Sequence, residues 1–418
     1  MDLNNREVGG GWVLGDFLFN YEKLLGFSHQ GEEKVKTNKN LVIPKFFHCE
    51  NEEEHRGLNT TYSIEKNAFM NKGIESVIFP EGIRYIKDYA FYSNNLEKVV
   101  IPNNTVLIGE KAFKYNKLKE VILSKEVEAI GPEAFCDNKL TRIEFPNSVV
   151  VIGQRAFFNN ELQALRFGLG LKRIENGAFA GPLLNNSGRH PGNQIKVLKI
   201  PYSVEFIEDN AFMDNKIYSL TFSKSLKEVG EKAFIFNNIS NLEIPDSVET
   251  IGSFCFSSNK IEFLKIGKSL EEIPNYAFSN NKITLLEIPD NIKRVGDFAF
   301  LRNELGSLIL SESLKEIGEL AFAGNALKNI EIPDSVKEIG MGAFYNNLLA
   351  SVSIGSGLRE VRNDVFGGFR ESLGGNKDSN PIKEIKLGKL VKTIGKNSFP
   401  ETKESEQALF KSLTENSQ

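Results

Sequence analysis

Histidine is nearly absent from this chain. Only four occur in 418 residues, His29, His48, His55 and His190, and none lies in the regular part of the sequence. Acid–base catalysis and transition-metal binding draw on imidazole more than on any other side chain. Cysteine is as scarce. Cys49, Cys136 and Cys255 are an odd count with no short metal-type spacing, which argues against a disulfide framework. Cys255 stands where most copies of a repeat have alanine, and reads as a small core residue. Positive charge is not in surplus. Lys and Arg number 51 against 55 Asp and Glu, a net charge of −4, so phosphates would not be neutralised and nucleic acid is a poor partner class. No run of eighteen apolar residues exists, so no transmembrane helix is expected. Met1 to Arg6 lacks the basic start and apolar run of an export signal, which leaves a cytoplasmic protein or one whose signal has been removed.

Catalytic motifs are missing too. There is no Gly-x-Ser-x-Gly, no His-Glu-x-x-His and no glycine-rich phosphate loop after a strand. A cysteine hydrolase built on Cys49 and a distant histidine is conceivable. The loop His48-Cys49 with Glu52, Glu53, Glu54 and His55 has zinc-binding residue types, but its spacing matches no familiar ligand pattern and an acidic solvated loop is the default. The chain is therefore read as non-catalytic, with no metal and no cofactor.

What is present is a repeat. Phenylalanine recurs at 69, 91, 113, 135, 157, 179, 212, 234, 256, 278, 300, 322, 344, 366 and 399. Every step is 22 residues except 179 to 212 and 366 to 399, which are 33 and so carry eleven extra residues each. A period this strict marks a solenoid, in which each copy buries its apolar surface only against its neighbours. Alanine precedes most of these phenylalanines, and asparagine follows three residues later, as at Asn94, Asn116 and Asn303. The asparagines suggest amides bonded to turn backbone from copy to copy. Apolar residues at five, eight and ten after the Phe, as in Ile283, Leu286 and Ile288, alternate as in a strand. A Ser-Val or Ser-Leu turn and an Ile-Gly pair complete the copy. The reading is one short parallel strand, a turn and an irregular or helical convex arc per 22 residues: an α/β repeat. The residue after each strand alternates between Pro and Ser or Gly from Ser124 to Gly355, which points to duplication of a 44-residue pair or to alternating packing at the turn.

Three segments follow. Residues 1–63 form an N-terminal cap, with short strands at Trp12-Val13-Leu14 and Asp16-Phe17-Leu18-Phe19, a first strand at Leu41-Val42-Ile43 and a long loop from Lys45 to Tyr62. Residues 64–400 are the solenoid. Residues 401–418 are a tail that is either disordered or a capping helix using Ala408, Leu409 and Phe410.

The pattern Leu-x-x-Leu-x-Ile-Pro-x-Ser-Val-x-x-Ile-Gly-x-x-Ala-Phe-x-x-Asn resembles the BspA-like leucine-rich repeats, a bacterial variant of the leucine-rich-repeat fold, over residues 64 to 399. The resemblance implies an exported or surface-attached protein that binds host or matrix proteins or other cells. The absence of an export signal and of a wall-anchoring motif departs from it and keeps a cytoplasmic location open.

Candidate contact residues come from two places. On the outward strand position Ile78, Val100 and Ile122 form an apolar run, and Phe263 and Leu285, two residues earlier in their copies, form a separate spot. Further on the same position alternates in sign, as in Glu243, Lys265 and Glu287, where cross-strand pairing suffices as an explanation. The two insertions supply Leu183, Leu184 and Arg189, and Phe369 and Arg370. They should emerge on one edge, and loops carry function more often than scaffold does. The expected function is a protein-binding module of the adhesin type. A structural spacer is the alternative and a hydrolase the third reading.

Overall fold

Two strands and two tight bends make up each copy. The computed structural model describes residues 7–20, 23–47, 59–60, 62–182, 192–367, 380–400 and 403–415. The chain divides into two units, Met1–Ile217 and Tyr218–Gln418. Both are parallel-strand solenoids, as the period requires.

In the first unit, β1 (Glu7–Gly9) and β2 (Trp12–Val13) form a hairpin, and β3 (Phe17–Asn20) pairs antiparallel with β4 (Lys23–Phe27). Helix α1 (His29–Lys34) follows, capped by the Ser28 hydroxyl. β5 (Asn40–Val42) is the first of the repeat's longer strands, and β6 (Phe46–Phe47) and β7 (Asn59–Thr60) pair antiparallel. From β8 (Ser63–Ile64), β9 (Ser76–Ile78) and β10 (Tyr85–Ile86) the copies stack in register.

The longer strands match the expectation. Lys98–Val100 pairs in parallel with Glu120–Ile122, and its middle residue, Val99, is buried between two exposed neighbours. The shorter, two-residue strands were not legible from the alternation. They run Tyr85–Ile86, Leu107–Ile108, Ala129–Ile130, Val151–Ile152, Arg173–Ile174 and Phe206–Ile207, all parallel and in register. In each, the isoleucine points in and the residue before it points out. Two residues are too few to show a period of two.

The arc around each phenylalanine is not helical in the described copies. The amides of Lys111, Phe113 and Tyr115 donate to Pro132, Ala134 and Cys136 carbonyls of the next copy, at 2.9, 2.8 and 3.2 Å. Those bonds replace the within-chain bonds of a helix. They require the chain to alternate direction, and the residues two before and two after the Phe take left-handed φ, 52° at Lys111 and 57° at Tyr115.

The phenylalanines form the core. In the first unit adjacent rings from Phe91 to Phe157 lie 5.3 Å apart, and Phe157, Phe179 and Phe212 follow at 5.5 and 5.4 Å. In the second, Phe344, Phe366 and Phe399 are spaced by 5.5 and 5.3 Å. The 33-residue steps keep the spacing of the 22-residue ones. Phe27 meets Phe69 edge-on at 4.9 Å, and Trp12 stacks on Phe27 at 5.2 Å. An aromatic cluster thus lies against Phe69, and the indole of Trp12 donates to the Asn40 carbonyl at 2.7 Å.

Beside the rings runs a column of buried amides. Asn116 donates to the carbonyls of Phe91 and Phe113 at 2.9 and 3.1 Å and accepts from the Leu96 amide at 3.1 Å. Asn193 and Asn380 do the same after the insertions. The eleven extra residues therefore lie between the Phe and this asparagine.

Where glycine follows the longer strand, it lies close against the backbone of the preceding copy. A Cβ on Gly168 would sit 2.2 Å from the Pro146 carbonyl oxygen, and one on Gly267 would sit 2.2 Å from that of Pro245. In the second unit, helix α2 (Lys403–Glu415) turns Ser405, Ala408, Leu409 and Ser412 inward, and the Leu387 amide donates to the Ser412 hydroxyl at 2.8 Å. Phe410, on the same helix, is largely exposed.

Candidate interaction faces

Long strands stacked in register turn every second side chain outward, and the sequence decides what is presented. Ile78, Val100 and Ile122 are 62, 50 and 46% exposed, as large apolar side chains on a surface rarely are in a row. Val42 is the register partner of Ile78, and Val100 that of Ile122. Val42 extends the run by one copy and was missed because its strand lies outside the regular period. Nearby, Lys98 and Glu120 are cross-strand partners with an ion pair of 2.8 Å. The hydrogen bond from the Lys98 ammonium holds the Glu120 carboxyl below the ordinary carboxylate range. Lys119 and Glu97 pair at 3.0 Å. The apolar run is thus bordered by neutralised charge.

In the second unit Phe263 and Leu285 are both exposed on the longer strands. Ile309, on the strand paired with that of Leu285, is exposed with them. Glu243 and Lys265 are register partners. Leu183, Leu184, Arg189, Phe369 and Arg370 fall outside the described residues, as does the loop holding His48, Cys49 and His55.

The arc edge of the first unit carries a cluster of charge and aromatic rings. Lys111 lies 5.3 Å from the Tyr89 ring centre and bonds Glu110 at 2.8 Å. Lys114 sits 4.7 Å over Tyr115, pairs with Glu133 and lies 3.5 Å from Asp137. Burial opposes the charge on Lys114, but the Glu133 hydrogen bond and the surrounding anions outweigh it and raise its pKa. Burial and the Asp137 carboxylate push the Cys136 thiol up, and that thiol donates to Asp137 at 3.1 Å. A lysine held charged and a thiol held neutral are poor nucleophiles. Cys136 and Cys255 are both buried, and neither forms a disulfide. Among the described residues no group of acidic, histidine and cysteine side chains could hold a metal, and no helix is long and apolar enough to cross a membrane.

The geometry is that of a repeat scaffold, and comparison with known proteins agrees. The BspA type leucine rich repeat region matches residues 62–185, 191–305 and 271–403. The chain belongs to this family. No curated protein matches it. Among solved structures, a leucine-rich repeat protein from Bacteroides ovatus is 21% identical, with 89% of this chain and 97% of that one covered and a TM-score of 0.60. The pneumococcal vaccine antigen PcpA is 20% identical over 89% of this chain and 86% of its own, at a TM-score of 0.47. A leucine rich cell surface protein from Faecalibacterium prausnitzii is 18% identical, with 94% of both chains covered, at 0.43. At these identities the likeness is one of fold. Proteins built on BspA type repeats are generally non-catalytic, and nothing in the described residues speaks for catalysis.

Proposed function

We propose that this BspA-type repeat protein is a non-catalytic binding module of the adhesin type, displayed at a bacterial surface and directed at a host or matrix protein. The observation that carries the reading is the run of Ile78, Val100 and Ile122, exposed side by side on strands that are already ordered. A surface fixed before contact loses little conformational freedom on binding, so more of the contact energy appears as affinity. Cell-surface display follows the family rather than any residue of this chain. The insertions with Leu183, Leu184, Arg189, Phe369 and Arg370 are the second proposed contact.

The test is capture of host-cell surface and matrix proteins by three chains: this one, the triple variant Ile78→Lys, Val100→Lys, Ile122→Lys, and one lacking both insertions. Capture lost only by the triple variant assigns the strand face. Capture lost only without the insertions assigns the edge. Capture by none of the three, with all folded, favours a spacer role and overturns the adhesin reading.

A further inference from the structure

The two-residue strands form a second outward face. Each copy offers two residues there, the outward strand residue and the one before it. The second unit shows what the repeat needs at these positions. Its eight copies, from Lys227-Glu228 to Lys392-Thr393, place no apolar residue at either one, and Lys315-Glu316, Lys337-Glu338 and Arg359-Glu360 are typical. The strands form regardless. Apolar side chains at these positions are therefore not required by the fold.

The first unit nevertheless has them. Tyr85, Val106, Leu107, Ala129, Val150 and Val151 fill six of eight positions across four consecutive copies. Tyr85, Leu107, Ala129 and Val151 are register partners in one row. Val150 and Val151 are 44 and 39% exposed, and the rest are partly exposed. The two polar members, Arg84 and Glu128, are both exposed and lie two copies apart.

We infer that this strip is a docking site for an amphipathic helix of a partner protein, laid across the strands. The inference rests on the protein-binding reading and assigns it a second surface and a partner chemistry. Size excludes a broad occupant. Four copies at about 4.8 Å each and two residues across give a strip of roughly 100–150 Å². A stable dimer needs about 800 Å² from each partner. Spacing favours a helix. One turn advances about 5.4 Å, so residues at i, i+4, i+7 and i+11 fall near successive copies over about three turns. Charge supplies direction. Arg84 and Glu128 lie about 10 Å apart, close to two turns, and call for an acidic and then a basic residue on one flank of the helix.

The experiment selects, against the full chain, from a library of helix-stapled 15-residue peptides with randomised residues at the four apolar positions and on both flanks. Binding is then measured by fluorescence anisotropy. Replacing Val150 and Val151 with Lys and Glu, the pair the second unit carries, should leave the melting temperature unchanged and weaken binding at least tenfold. The Leu107→Thr variant, with the residue found at 250 and 393, is the second probe should the first not fold. Exchanging the charges with Arg84→Glu and Glu128→Arg should invert the flank charges selected. Selection of no peptide, or binding untouched by these variants, overturns the inference. Strip-dependent self-association in sedimentation, or strip-dependent binding to phosphatidylglycerol vesicles, also overturns it, by assigning the face to a second copy or a lipid surface. The triple Lys variant keeps the two ideas apart, because it should abolish capture of host or matrix proteins while leaving peptide binding intact.

Discussion

At the scale of the residue, this protein depends on a few columns that tolerate little change. The buried asparagine is the clearest. Asn116 satisfies three backbone groups that have no water to turn to. Asn116→Ala leaves the buried Leu96 amide unpaired, while the Phe91 and Phe113 carbonyls each lose one of two donors and keep Asn94 and Asn138, so the loss should be about 1–3 kcal/mol in chemical denaturation. Asn116→Asp should not rescue it, since a carboxylate would face two carbonyls. Gly153 belongs to a second such column. A Cβ there would meet the Pro132 nitrogen at 2.7 Å, so Gly153→Ala should lower the melting temperature by several degrees. Cys136 gives the pH response. Its thiol is pushed up by burial and Asp137, so the folded chain holds a proton that the unfolded chain gives up above about pH 8.5. Stability is therefore full below that pH and falls above it, by up to about 1.4 kcal/mol per unit for this one group. In Cys136→Ala, a residue already present at Ala180 and Ala323, the decline between pH 8.5 and 10 should be flatter, as thermal melts across that range would show.

At the scale of the element, the insertions test how independent each copy is. The rings of Phe179 and Phe212 stack at 5.4 Å, like any others. Deleting residues 182–192 joins Gly181 to Asn193 and restores the ordinary three-residue spacing from Phe to Asn. That deletion should leave the circular dichroism spectrum and the melting temperature nearly unchanged, because surface insertions alter loop entropy only slowly with length. A large loss would mean that the insertion supports the solenoid. The C-terminal helix should behave oppositely. Its Ser412 hydroxyl accepts from the Leu387 amide, so truncation after Pro400 should destabilise the copies nearest to it, read as faster amide exchange around Leu387.

At the scale of the whole molecule, the question is which copies carry function. Excising residues 91–134 removes Val100 and Ile122 and keeps the repeat in frame; excising 278–321 removes an equal length from the second unit. On the adhesin reading the first deletion abolishes capture and the second leaves affinity unchanged. A spacer would bind nothing differently in either case and would only shorten. Much of this organisation was legible in the sequence. The 22-residue period determined the solenoid, its phenylalanine core and the outward apolar trio, because each copy must bury the same face against the next. The two-residue strands, the left-handed residues around each Phe and the strip from Tyr85 to Val151 were decided only by the tertiary structure. Those features arise from hydrogen bonds between copies rather than within them. Residues 22 apart in sequence become neighbours about 5 Å apart in space, and no local pattern in the chain records that contact.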